Sequence, residues 1–281
     1  MTSATSGPTY EIRVLSLGEI EADASIVVLG REPGVMARVP MLGHLILGGD
    51  RPILVDTGIR APEMLERLGM RGFRDAEHEL DHQLGLHGFG VDDIGLVLNT
   101  HLHLDHCGQN HRFSLSTPVV VNRRELEFAA SGLEGPIYAP EEVKHMIDRQ
   151  NARGALQPLD LELTGPVELA PGIRCLPAGG HTEGSMMVLV DTAEGVACIC
   201  GDIVYDIHDQ LVEPLGQMAA GEPTPVGYTP MSRRAEVAAM KRALGLGAFL
   251  LPIHDWPARV AGGRVVGRLR DRVPGPVTAP A

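Results

Sequence analysis

The chain lacks most features that would mark it for a membrane, a nucleic acid or an oxidising compartment. None of its apolar runs approaches the ~20 residues that a membrane-spanning helix needs. Its opening residues, MTSATSGPTYEIRV, hold neither the basic nor the apolar stretch of a secretory leader. Positive charge is scarce: 24 Lys and Arg stand against 36 Asp and Glu, and the formal net charge of −12 opposes general binding to nucleic acid or to anionic membrane. Cysteine is limited to Cys107, Cys175, Cys198 and Cys200. Cys198 and Cys200 share one face of a predicted strand, and C-x-C is neither a zinc-knuckle spacing nor the start of a disulfide frame. The thiols are read as buried structural groups, and the lack of leader and disulfides predicts a cytoplasmic protein. There is no G-x-S-x-G, no phosphate-binding P-loop and no dinucleotide fingerprint, so serine hydrolysis and nucleotide chemistry have no support.

What is present is enough apolar material, 44% of 281 residues, for one sizeable core. No repeat or linker divides the chain. Residues 10–272 are read as one domain, with 1–9 and 273–281 as disordered tails. YEIRVLSL alternates like a half-buried strand. SIVVLG, HLILGGDRPILVD, IGLVLN, GIRCLPA, MMVLVD, GVACIC and FLLPIH read as further strands, the second turning at Gly48-Gly49-Asp50. Pro62 starts a short helix presenting Met64, Leu65 and Leu68. Asn122 and Glu125 are read as a capping pair opening a helix. Ser232 caps another, with Val237, Met240 and Leu244 inward. Strands mixed with helices along the whole chain predict an α/β fold with helices outside sheets. Segments 60–93 and 130–165 are the least regular and are candidates for lids.

One stretch concentrates the chemistry. THLHLDHCGQN, residues 100–110, places His101, His103, Asp105 and His106 directly after a buried strand. Alternate residues of an extended segment point the same way, so His101 and His103 can grip one ion. Asp105 and His106, in the following turn, can face a second. Neutral imidazole is a good zinc ligand, and carboxylate suits a harder, more open position. Four donors do not complete two sites, but the chain supplies more. His181 lies in AGGHTEGS, Asp202 ends GVACICGD, His254 ends FLLPIH and Asp56 ends RPILVD. Each sits where an apolar strand gives way to a loop, which is where α/β folds place their chemistry.

The order H-x-H-x-D-H, GGH, GD and a late His resembles the metallo-β-lactamase superfamily, over roughly residues 10–270. The resemblance implies an αβ/βα sandwich: two mixed β-sheets flanked by helices. It implies two divalent metal ions, by default zinc, with manganese, iron or cobalt also accepted by such N/O sites. His101, His103 and His181 would hold the first ion and Asp105, His106 and His254 the second. Asp202 would bridge them, and Asp56 would orient the ligands by hydrogen bonds. A water between two such ions becomes a nucleophilic hydroxide, and Asp105 could relay a proton.

Within the superfamily, His103 in place of Glu favours hydrolysis over diiron redox chemistry, and the acidic charge disfavours the nucleic-acid branch. The chain is most like the N-acyl-homoserine lactonase group, through THxHxDHxGxN, VVNRRELEFA and Tyr205 three residues after Asp202. That likeness implies opening of a lactone or related cyclic ester of a small molecule, with Tyr205 hydrogen-bonding the substrate. His208, Met218 and Tyr228 are further substrate-contact candidates. Departures are HTEGS, with Glu183 and Ser185, and Gln109 in place of a glycine. The alternative is thioester hydrolysis of the glyoxalase type or another carboxylic ester, with Arg233, Arg234 and Lys241 as the cations to watch. A metal-free binding protein on the same scaffold would be told apart by metal analysis. No nucleic-acid or membrane partner is expected, and a homodimer stays open.

Overall fold

The computed structural model describes residues 7–216, 221–228 and 231–269. The first half of the chain builds a seven-stranded sheet from β1 (Glu11–Asp23), β2 (Met36–Leu47), β3 (Ile53–Val55), β4 (Arg71–Phe73), β5 (Leu96–Leu98), β6 (Val119–Asn122) and β7 (Leu156–Leu159), in the order β4-β1-β2-β3-β5-β6-β7. The second half builds another from β8 (Val167–Ala170), β9 (Ile173–Pro177), β10 (Met186–Thr192), β11 (Gly195–Gly201), β12 (Phe249–Pro252), β13 (Ala258–Ala261) and β14 (Arg264–Arg268), in the order β14-β13-β12-β11-β10-β9-β8. The helices are α1 (Ala24–Val27), α2 (Leu80–Gly85), α3 (Leu104–Cys107), α4 (Arg123–Ser131), α5 (Pro140–Gln150), α6 (Leu161–Thr164) and α7 (Arg233–Leu246).

Strand alternation sorts the apolar residues into layers. Ile46, Val55, Leu98 and Val120 of the first sheet meet Val188, Ile199 and Leu251 of the second in a shared core. Leu45, Leu54, Val119 and Val121 point the other way, under Leu80, Leu126 and Met146 of α2, α4 and α5. On the second sheet Leu189, Cys198 and Cys200 face Met240 and Ala243 of α7. This is the αβ/βα sandwich, and it explains why GVACIC is apolar throughout: that strand is covered on both faces.

Three local expectations are corrected. SIVVLG is not a strand, because Asp23 accepts a bond from the Ser25 N–H and opens helix α1, burying Val27 and Val28. An apolar run alone does not distinguish strand from buried helix. Helix α4 does start at Arg123, but without the capping pair. The Asn122 Nδ2 donates to Gly184 O and Glu162 Oε1, and Glu125 is fully buried elsewhere. In α7 the Ser232 cap forms, yet Val237 is only half-buried and Glu236 takes an inner position. The helix that starts at Pro62 is 3₁₀ and buries Met64 and Leu65.

His44 on β2 is fully buried, and neither ring nitrogen has a hydrogen-bond partner. Burial pushes its pKa down to about 3 from 6.5. The unfolded chain therefore takes up a proton below pH 6.5 that the folded chain refuses until about pH 3, and stability falls as pH drops through that window. Relative to a His44→Leu variant, the wild type should lose about 1 kcal/mol of unfolding free energy between pH 6 and pH 5. Parallel denaturation curves for the two proteins over that range would contradict this.

Candidate metal centre

The first sheet supplies the lower half of the site from the ends of two parallel neighbours, β3 and β5. Asp56 follows β3 with φ 57°, the one non-glycine residue in the left-handed region among those described. Aspartate tolerates that conformation better than most residues. It aims the Asp56 carboxylate at the next loop, where Oδ1 accepts from Thr100 N at 2.8 Å and Oδ2 from Thr100 Oγ1 at 2.6 Å. The same Oδ2 lies 2.9 Å from His106 Nδ1, which leaves His106 Nε2 to face the site. After β5 the chain runs extended through His103, then turns into α3, which carries Asp105 and His106. The second sheet contributes His181 from the loop after β9, and Asp202 and His254 from the ends of the parallel pair β11 and β12.

The structure brings the seven predicted donors into two adjoining groups. His101, His103, His181 and Asp202 form one; Asp105, His106 and His254 form the other. His181 Nε2 and His103 Nδ1 are 3.1 Å apart, and His181 Nε2 is 3.4 Å from Asp202 Oδ2. His254 Nε2 is 3.3 Å from both Asp105 Oδ2 and Asp202 Oδ2, and His106 Nε2 is 3.1 Å from Asp202 Oδ1. Ligand atoms around one tetrahedral ion with bonds of ~2.0–2.1 Å are spaced about 3.3–3.4 Å. The buried atoms His101 Nε2, His106 Nε2 and Asp202 Oδ1 make no well-aligned hydrogen bond, although the last two face each other at 3.1 Å. Buried polar atoms are rarely left so, and a cation would satisfy all three. The donor set therefore fits divalent metal.

The electrostatics agree. Burial pushes His101 well below its usual range, His103 to about 4 and His181 to about 3, so these rings are neutral. At His254 burial opposes the charge, but Asp202 and Asp105 outweigh it and hold the ring up to about 10; His106 is likewise raised, by Asp202, Asp105 and Asp56. The same carboxylate field favours a divalent cation. The Tyr205 hydroxyl donates to Asp202 Oδ2 at 2.5 Å, and its ring stacks on His254 with centroids 4.6 Å apart. Burial and Asp202 raise the phenol well above its usual value, so it remains an O–H donor.

A narrow cleft opens on this group, bounded by His103, Asp105, His181, Tyr205 and His254 at its base. Its walls are Ile20, Ile26, Val27, Val39, Leu65, Leu68, Met70, Ile137 and Tyr228. Leu65, Leu68 and Met70 come from segment 60–93 and Ile137 from 130–165, the two irregular stretches. Tyr228 thus lines the cleft. His208 does not: its ring is 57% exposed and its Nδ1 lies 2.9 Å from Asp209 Oδ1, because the chain turns outward after Ile207. Met218 lies outside the described residues. Arg233, Arg234 and Lys241 line a separate surface groove on α7, where Lys241 pairs with Glu222.

Two carboxylates escaped the sequence reading. Glu125 accepts from Leu102 N, Tyr138 Oη and Thr182 Oγ1, tying together the loops that carry His101, His103 and His181. Glu134 places Oε2 3.3 Å from His103 Nε2. The atypical HTEGS residues have structural roles: Ser185 braces Thr182, and Glu183 pairs with Arg124. A side chain at Gly184 would lie 2.0 Å from Glu125 N, so that position needs glycine. Gln109 is buried, its Nε2 donating to Thr57 O.

Cys107 is also buried, its thiol donating to Leu102 O at 3.4 Å, and burial holds the thiol well above its usual pKa. Cys107 belongs to neither group of metal donors. Cys107→Ala should leave the metal content of purified protein unchanged; loss of one equivalent would make it a ligand.

A two-sheet sandwich with paired His/Asp clusters on one rim is the architecture of a metal-dependent enzyme, and the chain's family and relatives make it a hydrolase. The chain belongs to the metallo-β-lactamase superfamily, whose family model matches residues 44–255. An N-acyl homoserine lactonase of Bacillus cereus is 29% identical over 201 residues, covering 67% of this chain and 73% of the relative. One from Agrobacterium fabrum is 28% identical over 206 residues, covering 63% of this chain and 70% of the relative. Among solved structures, a probable metal-dependent hydrolase from Staphylococcus aureus superposes with a TM-score of 0.70 at 17% identity, covering 96% of this chain and all 100% of its own. An N-acyl homoserine lactone hydrolase with N-hexanoyl-L-homoserine at its metal centre gives 0.63 at 21% identity, covering 84% and 88%. These likenesses show the fold.

Proposed function

We propose that the protein opens a lactone, or a related cyclic ester, of a small molecule at a dinuclear metal centre. The observation that carries this reading is the Tyr205 hydroxyl, set against the donor cluster at the base of an apolar cleft. The lactonase relatives support it. His101, His103 and His181 would hold one ion, Asp105, His106 and His254 the other, and Asp202 both. The five imidazoles favour zinc. Two such ions supply Lewis acidity and an acidified water.

The chain's own residues do the rest. The apolar walls bind the substrate's hydrocarbon part and exclude bulk water. Tyr205 turns its O–H from Asp202 to the attacked carbonyl oxygen or the departing ring oxygen. Asp105, which lines the cleft, takes the proton released on attack and passes it to the alkoxide formed as the ring opens. Thioester hydrolysis of an anionic substrate is disfavoured: no Lys or Arg lines the cleft among the described residues. Assay of metal-reconstituted protein against lactones, thioesters and aryl esters tests the reading. Turnover of thioesters alone would overturn it.

A further inference from the structure

Tyr205 acts only if its loop holds the phenol in place, and the loop's anchor is a residue outside the cleft. Gln210 is fully buried in a short π-helix, His208–Val212, beyond the metal donors. Its Oε1 accepts two backbone bonds, from Tyr205 N at 2.6 Å and from Asp206 N at 2.8 Å. Its Nε2 donates to Thr224 O at 3.1 Å, and its own N–H and carbonyl bond Asp206 O and Thr224 N. Thr224 begins the strap that carries Tyr228. That strap is held in turn by Glu236, which accepts from Val226 N at 2.8 Å, and by Ile26 O, which accepts from Gly227 N and Tyr228 N. One buried amide thus joins the loop carrying Tyr205 at the cleft base to the strap carrying Tyr228 in its wall. Gln210 sits in a widened helical turn, and such turns recur at functional sites.

We infer that Gln210 is a positioning residue: its amide oxygen fixes the Tyr205 backbone, and its amide nitrogen fixes the Tyr228 strap, so that chemistry and cleft shape are set together. The inference rests on the proposed role of Tyr205. Two partly buried N–H groups turned toward one side chain need an acceptor, and glutamine supplies it without charge while leaving a donor for Thr224. Glutamate would keep the acceptor and lose the donor; leucine would lose both.

The test is a double-mutant cycle on holoenzyme with metal content checked. Gln210→Leu should lower kcat on a lactone at least tenfold with metal retained. In a Tyr205→Phe background the same change should cost less than twofold. Gln210→Glu should stay within about threefold of wild-type kcat while KM rises. Hydrogen exchange gives a readout free of chemistry: the Tyr205 and Asp206 amides should exchange faster in Gln210→Leu and remain protected in Gln210→Glu. Equal losses in both backgrounds, a Gln210→Glu as impaired as Gln210→Leu, or unchanged amide protection would each overturn the inference. If Tyr205→Phe is impaired and Gln210→Leu is not, the inference alone falls. If Tyr205→Phe itself is silent, the reading beneath it falls too.

Discussion

Asp202→Ala should abolish turnover and release metal. The Asp202 carboxylate is buried and lies between the two donor groups, with Oδ2 facing His181 and His254 and Oδ1 facing His106. Burial disfavours its charge, but His106 and His254 outweigh that and hold its pKa well below the usual range. It is therefore an anion at working pH, and on the proposed reading it would share the two cations. Without it each proposed ion would keep three protein donors, with no shared ligand to fix their separation. The expected result is fewer than two metal equivalents per chain and activity at background. Asp202→Asn, which keeps the shape and removes the charge, should also lose metal. Two ions and normal turnover in Asp202→Ala would remove the bridging role.

Tyr205→Phe should lower kcat on a lactone by about 10²–10³, the usual loss for one oxyanion donor. The ring stacks on His254 and packs at the cleft base, and phenylalanine keeps both contacts. Only the O–H to Asp202 is lost. Metal content and melting temperature should thus stay close to wild type, which separates a chemical effect from a structural one. Equal kcat on the substrate turned over fastest would leave a metallohydrolase whose ester specificity owes nothing to this phenol.

Much of the centre was legible in the chain because its chemistry is local. H-x-H-x-D-H after an apolar run places four donors within six residues, and the remaining three each lie at or shortly after the end of an apolar strand. Residue type and strand-end position are both readable without contacts. The alternation that buries Cys198 and Cys200 on one face is local too. By contrast, SIVVLG offered only apolarity, while Asp23, accepting from Ser25 N and Oγ, caps the segment as helix. His208 stood close to Asp202 in sequence, yet the chain turns its ring outward. Glu125 looked like a helix cap because its partners, Leu102 and Thr182, lie on other loops. Gln210 carried no signal at all, since its second partner, Thr224, meets it only when the strap folds back. Donor identity is a property of residues and short spacings, and the sequence by itself determined it. Which buried carboxylate or amide holds those donors in place depends on pairings between distant segments, and only the packed sandwich decided that.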